Sequence, residues 1–383
     1  MIRSRRLFLK SPALMASGLC LPSLPFLLGA CGGGSASNDT STPPTPPTTE
    51  PAWHMPEEGG AHRATWMAFA ASASIWGSER GAVHAALARI ADAIVQVEPV
   101  KMLVPTQDLA LASSLLDPRI QLIPQDCDDL WLRDSGALFV KDAQGQSGAC
   151  DFHFNGWGQK QTHAKDALLA AAMARHTQAK LLSAGLVLEG GAIEHDGQGT
   201  AIITESCVLN PNRNPGLSKA ACEAELLRLL GLRKIIWLPG IAGRDITDGH
   251  TDFYARFAGP GVVLANLETD PSSYDYALTR KHLDILNAAT DAEGRRLQVL
   301  PLEPPSQIRA PYAQRRDFAA GYVNFYLTQA CVFMPEFGDA AADAKARQRL
   351  AEAFPSRQVV QIYIDAIAAG GGGIHCTTQQ EPA

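Results

Sequence analysis

From about Trp53 to the carboxyl end, apolar and polar positions form two alternating kinds of segment, separated by turns rich in glycine and proline. The spacing predicts helices over 80–96, 164–174, 218–230 and 341–353. The third has well-marked ends: Ser218 suits an N-cap, Glu223 and Glu225 fall early in the run, and Gly231 follows its last residue. Short apolar runs predict strands over 101–104, 120–123, 137–140, 200–203, 234–238, 261–265 and 330–334. Alternating strands and helices without a second linker predict one α/β domain. Gly190-Gly191-Ala192-Ile193 and Gly371-Gly372-Gly373-Ile374 share a GGxI core after an apolar run, a faint internal echo of the kind a pseudo-symmetric repeat leaves.

The amino end reads differently. Ser4-Arg5-Arg6-Leu7-Phe8-Leu9-Lys10 has the form of a twin-arginine export signal, and an apolar, small-residue stretch follows it. That stretch is broken by Pro22 and Pro25 and is short for a membrane span. It ends in Leu28-Gly29-Ala30-Cys31, similar to a lipoprotein signal-peptidase box, so Cys31 is the candidate lipid anchor; a plain cleaved signal is the alternative. The expected division is a signal over 1–30, a Gly/Ser/Thr/Pro tether over 31–51 with nothing to bury, and a catalytic domain over 52–383. This places the protein outside the cytoplasm, in the periplasm or cell envelope, held to a membrane by the lipid.

Composition narrows the partners. The 383 residues are 46% hydrophobic and 19% charged, with a net charge of −6, which disfavours a nucleic-acid surface and suits a small cationic substrate. Association into homo-oligomers is left open. Eight cysteines occur without a CxxC pair, and ten histidines without HxH or HExxH spacing, so a metal site is disfavoured. An exported chain permits disulfides, but spacing does not assign any.

Four segments could carry chemistry. Near the end, four glycines, 370–373, precede Ile374-His375-Cys376, and a short polar tail follows. Glycine lets backbone approach a ligand closely, so Cys376 reads either as a presented thiol or as a buried structural cysteine after a flexible loop. Asp134 lies beside Arg133, three residues after Trp131 and two before a glycine, which suits either a cation pocket or a surface salt-bridge cluster. Glu189 ends an apolar run, where a charge needs a partner unless it sits on an exposed turn. In Asp245–Asp252, His250 and Asp252 would share one face if the segment were a strand, and a carboxylate beside histidine suits proton transfer; a polar loop is the alternative. Together, a cysteine, a histidine and two carboxylates are the parts for attack on a guanidinium carbon. Carboxylates hold the planar cation, the thiolate attacks, and histidine protonates departing ammonia and then activates water.

These segments, with others in order, resemble the agmatine deiminase family, grouped with bacterial peptidylarginine deiminases. The matching pieces are MPEEGGAHRATWMAF (55–69), DLWLRDSG (129–136), FNGWGQK (154–160), LEGGAIEHDGQGT (188–200) and LNPNRNPGLSK (209–219). IIWLPG (235–240), DGHTD (248–252), GYVNFYL (321–327), MPEFGD (334–339) and GGGGIHCTTQQ (370–380) follow. The resemblance implies a five-bladed α/β propeller of ββαβ modules with the site at its pseudo-axis. It implies Cys376 as a nucleophile forming a covalent thiouronium, His250 as general acid and base, Asp134 and Asp252 gripping the guanidinium, and Trp131, Glu189 and Asp248 binding substrate. It implies no metal and no organic cofactor.

The opening departs from the family's MPxEWxPH form: Gly59 stands where an aromatic is expected and Ala61 where a proline is expected. The resemblance gives this stretch a part in shaping the site entrance. FNGWGQK contains no arginine to hold a substrate carboxylate, which favours agmatine, giving N-carbamoylputrescine and ammonia, over peptidyl-arginine, giving citrulline. A tethered binding protein for guanidines is a third reading; it has no use for Cys376.

Overall fold

Five small sheets, each built the same way, organise the chain in the computed structural model, which describes residues 53–315 and 317–383. The signal, Cys31 and all of the tether lie outside the described residues. The first sheet begins with β1 (His62–Ala68), β2 (Val100–Val104) and β3 (Gln121–Pro124), all parallel. The second holds β4 (Leu138–Lys141), β5 (Ser147–Asp151) and β6 (Lys180–Ser183). The third holds β7 (Ile193–His195), β8 (Thr200–Thr204) and β9 (Lys234–Leu238). The fourth holds β10 (Ala255–Gly259), β11 (Val262–Asn266) and β12 (Gln298–Leu302), and the fifth β13 (Tyr326–Leu327), β14 (Cys331–Glu336) and β15 (Gln358–Tyr363). In sheets two to five the first pair is antiparallel and the second parallel. The last strand, β16 (Thr378–Pro382), pairs antiparallel with β1, so the first sheet gains the same antiparallel–parallel order and joins the end of the domain to its beginning.

A parallel pair needs a crossover, and helices supply it. They are α1 (Arg80–Ile94) between β1 and β2, α2 (Leu169–Thr177) between β5 and β6, and α3 (Lys219–Leu230) between β8 and β9. Next come α4 (Asp275–Ala288) between β11 and β12 and α5 (Ala340–Ala353) between β14 and β15. In α1, Val83, Leu87, Ile90 and Ile94 recur at helical spacing and are buried. In α3, Ser218 is the N-cap, accepting from the Ala221 N–H, and Gly231 ends the helix with φ +66°. The four expected helices and seven expected strands are all present, with boundaries shifted by a few residues. The second helix moves most: 164–168 is loop and a 3₁₀ turn (Asp166–Leu168), and the α-helix runs on to Thr177. Helix α4 was not expected.

The polar tail expected after Cys376 is instead the buried strand β16. Gln380 Oε1 accepts from Arg133 Nη1 at 2.8 Å, and Glu381 Oε2 accepts from Trp66 Nε1 and Lys101 Nζ, each at 2.7 Å. Buried polar groups are tolerable when each finds such a partner. The described residues form one compact mixed α/β unit, and their six cysteines, Cys127, Cys150, Cys207, Cys222, Cys331 and Cys376, are all buried free thiols.

Candidate active site

All five sheets send a residue to one place, each from the segment leading into an antiparallel strand. Asp134 sits in the one-turn helix Leu132–Ser135 before β4, and Glu189 just before the 3₁₀ turn Gly190–Ala192 that enters β7. His250 caps the 3₁₀ turn Thr251–Phe253 before β10, with Asp252 inside it. Asn324 lies just before β13, and Cys376 lies in the one-turn helix Ile374–Thr377 before β16. The GGxI echo therefore marks two equivalent entries, those of β7 and β16.

Cys376 Sγ is 3.5 Å from Asp252 Oδ2 and accepts from Asn324 Nδ2 at 3.2 Å, while the Cys376 N–H donates to Asn324 Oδ1 at 3.3 Å. The glycine run makes room for this placement. A Cβ on Gly372 would lie 2.1 Å from the Trp131 ring, and one on Gly373 would lie 2.4 Å from Asn324 Oδ1. Only Gly371, φ +91°, also needs the left-handed region.

His250 and Asp252 do not sit on a strand, so the expected shared face is lost. His250 pairs instead with Glu189: Nε2 is 3.2 Å from Oε2, and Nδ1 faces Asp134 Oδ1 at 3.6 Å. Asp252 Oδ2 accepts from His375 Nδ1 at 2.8 Å, and its Oδ1 is buried with no hydrogen-bond partner among the described residues. Asp134 is fixed on both oxygens, Oδ1 accepting from the Gly191 N–H at 3.1 Å and Oδ2 from Trp157 Nε1 at 3.0 Å. Gly191 is obligatory here, since a Cβ would come within 2.6 Å of His250 Nδ1 and 2.7 Å of Asp134 Oδ1. Buried in this way, Asp134 is no part of a surface salt-bridge cluster.

The indole reaches Asp134 from an unusual turn. Gly156, Trp157, Gly158 and Gln159 all have positive φ (69°, 56°, 83° and 63°), a left-handed turn held by Asn155 Oδ1 accepting from the Gly158 N–H at 2.7 Å. Each non-glycine residue there costs on the order of 1–2 kcal/mol. The cost places an N–H on a carboxylate that faces the site.

Two residues expected to contact substrate serve other ends. Asp248 is spent on cations, its Oδ2 accepting from Lys160 Nζ at 2.6 Å and Arg213 Nη1 at 2.8 Å. Glu189 is fully buried rather than on an exposed turn, and Arg213 Nε lies 2.8 and 2.9 Å from its two oxygens. It orients His250 from behind. The Trp131 ring packs against Gly372. The opening stretch does not border an entrance at Glu58: that side chain is buried, accepting from Arg256 Nη2 at 2.8 Å and the Leu327 N–H at 3.0 Å, with His375 Nε2 2.8 Å away. The roles of Asn324, Trp157, Arg213, Glu58 and His375 went unread, although the quoted motifs contain them all. Their signal was the motif; their partners lie far away in sequence.

The charges push these groups apart. Burial is the largest influence on Asp134 and, with Asp252 and Glu189, lifts it to about 6 against the opposing pull of His250. Burial would also raise Glu189, but Arg213 and then His250 outweigh it and hold it at about 2. His250 resists its burial because Asp134 and Glu189 favour the imidazolium, which stays charged well above the usual histidine range. Burial opposes ionisation of Asp252, yet His375 keeps it low. For Cys376, burial, Asp252 and Asp134 all push the thiol well above its ordinary value. The resting site is therefore a neutral thiol beside carboxylates, one with an unpartnered oxygen, and an imidazolium.

The chain is similar over most of its length to known proteins. An agmatine deiminase from Stutzerimonas stutzeri is 38% identical over 371 residues, covering 90% of this chain and 98% of that protein. A relative from Streptomyces coelicolor is 39% identical over 338 residues, covering 86% of this chain and 99% of its own length. The solved structure of the agmatine deiminase of Enterococcus faecalis superposes with a TM-score of 0.82 at 31% identity, covering 86% of this chain and 96% of that one. The sequence profile of the Porphyromonas-type peptidyl-arginine deiminases matches residues 54–382, and the chain belongs to that family.

Proposed function

We propose that the chain is an agmatine deiminase, hydrolysing the guanidinium of agmatine to N-carbamoylputrescine and ammonia. The observation that carries the reading is the meeting of Cys376, His250, Asp134 and Asp252, with Asp252 Oδ1 unpartnered. A guanidinium donates in a planar fork, and two buried carboxylates are its natural counterpart. Its arrival brings positive charge beside Sγ, which favours the thiolate that burial and the carboxylates suppress, and the thiol proton is released to solvent. Sγ then bonds to the guanidinium carbon, giving a tetrahedral adduct. His250 Nδ1, the nitrogen facing the site, gives its proton to the departing nitrogen, and ammonia leaves a covalent thiouronium. The neutral imidazole next takes a proton from water as it adds to the same carbon, and collapse expels the Cys376 sulfur and frees the ureido product.

Trp131 walls the pocket, and Glu189 and Asp248 act through His250 and Arg213. The repeated antiparallel–parallel order of the five sheets supports reading them as blades of an α/β propeller with the site at its axis. The twin-arginine segment, Cys31 and the tether support an exported, lipid-anchored protein; Cys31→Ala should then leave the membrane fraction.

Peptidyl-arginine is the second reading, and the matched family profile favours it. Against it, Lys160 and Arg213 are both bound to Asp248 rather than turned toward a substrate carboxylate. The test is ureido formation from agmatine, free arginine and an arginine peptide, with Cys376→Ser as the control. The proposal expects agmatine to be turned over fastest and the variant to be inactive. Faster turnover of the peptide, or an active Cys376→Ser, overturns it.

A further inference from the structure

A second thiol lies behind the imidazole. Cys207, in the short helix Glu205–Val208 after β8, is completely buried, and its Sγ donates to Glu189 Oε2 at 3.4 Å. The same oxygen is 3.2 Å from His250 Nε2, and the three ligand atoms lie within 4.8 Å of one another. Zinc bonds nitrogen and oxygen at about 2.0–2.1 Å and sulfur at about 2.3 Å, so a tetrahedron on those bonds has edges of about 3.3–3.5 Å. The two shorter separations already match. Spacing along the chain disfavoured a metal because the three residues stand before β7, after β8 and before β10, and only the fold unites them.

We propose that Glu189, Cys207 and His250 form a latent site for a thiophilic divalent cation, Zn²⁺ or a like ion, whose binding switches the imidazole off. Nitrogen, sulfur and one carboxylate oxygen with a fourth position left over is a donor set that such ions accept. The exchange balances: one dication enters, the Cys207 thiol and His250 Nε2 each release a proton to solvent, and the net charge is unchanged. Arg213 Nε lies 2.8 Å from Glu189 Oε1 and 2.9 Å from Oε2, so the ion takes Oε2 from it while the contact to Oε1 is kept. Carboxylates that attract a cationic substrate attract this cation too. With Nε2 on the metal, Nδ1 keeps its proton on a ring far less acidic than an imidazolium, so His250 no longer protonates departing ammonia effectively.

The test reads binding rather than turnover, so it stands apart from the choice of substrate. The full chain carrying Cys376→Ser, which removes the other sulfur near His250, is titrated with Cd²⁺ while thiolate-to-metal charge transfer is followed in the ultraviolet. The expected result is a saturable band that weakens at least tenfold in affinity when Cys207→Ser is added; serine keeps a donor toward Glu189 and removes the soft ligand. His250→Asn in the same background should weaken it similarly. No band with Cys376→Ser alone, or one unchanged by both further substitutions, overturns the proposal.

Discussion

Asp252→Asn should make Cys376 more reactive while making the enzyme worse. The Asp252 carboxylate lies 3.5 Å from Sγ with no solvent between them to screen it. A unit charge at that distance is worth about 4–5 kcal/mol at an effective dielectric near 20. Removing it raises the thiolate population by a ceiling of roughly a thousandfold, since each ~1.4 kcal/mol is tenfold. A less basic thiolate is also a poorer nucleophile, and a Brønsted slope of about 0.4–0.5 takes back nearly half of the logarithm, leaving a gain of about 40-fold. The assay is disulfide exchange with dithiodipyridine at neutral pH without substrate, subtracting the other thiols with Cys376→Ser and with Asp252→Asn/Cys376→Ser. Turnover should move the other way, because the variant loses a charge-assisted contact to the guanidinium worth about 1.5–3 kcal/mol. Asparagine can still face His375, so the fold is retained. Exchange no faster than in the unmodified protein would show that Asp252 does not hold the thiol neutral, and the substrate-triggered thiolate would fall with it.

Trp157→Phe removes the indole N–H from Asp134 and should lower kcat/KM by about 10- to 100-fold, the worth of one hydrogen bond to a charged group, with little change in melting temperature. Asp134 must be ionised to hold substrate, so kcat/KM should fall as pH drops through about 6, and this acid limb should move to higher pH in Trp157→Phe because the N–H favours the ionised form. Gly191→Ala drives a methyl between His250 and Asp134 and should abolish turnover while the denaturation midpoint barely moves. His375→Phe removes the imidazole from Asp252 and leaves Glu58 without one of four side-chain contacts, and should cost about 3 kcal/mol in urea denaturation.

Elements with an apolar face were legible in the sequence; elements stabilised by polar pairing were not. Strand β9 was bounded correctly because Ile236 and Leu238 alternate inward, whereas Thr378–Pro382 looks like a frayed end until Arg133, Trp66 and Lys101 are seen to satisfy it. In α4, Leu278, His282 and Leu286 are buried at helical spacing, but the histidine in that stripe conceals it. Within the site, flanking glycines drew attention to Asp134, Glu189, His250 and Cys376, which the fold brings together, because glycine is needed where backbone packs closely against such side chains. What each carboxylate does was not legible. Glu189 and Asp248 are acids beside turns just as Asp134 is, and only the arrival of Arg213 and Lys160 from other segments separates those that carry out support from one that faces the site. For the same reason His250 was read with Asp252, its neighbour in sequence, rather than with Glu189, its partner in space.

The charge arrangement sets folding against function at Asp134. A carboxylate raised to about 6 binds its proton more readily in the folded chain than in the unfolded one. Its contribution to stability is therefore fully present below the unfolded value and is lost as pH rises through about 6. At neutral pH the substrate-free protein thus holds an ionised acid that the fold disfavours, together with Asp252 Oδ1, buried without a donor among the described residues. The left-handed turn at Trp157 adds backbone strain to the same site, because that indole steadies the ionised form. A guanidinium relieves both carboxylates at once and, by the same charge, releases the thiolate. Neutral urea-like groups carry no such charge, so the ureido product forfeits the contact that brought the substrate in, and the site that binds the cation is by construction poor at holding what the cation becomes.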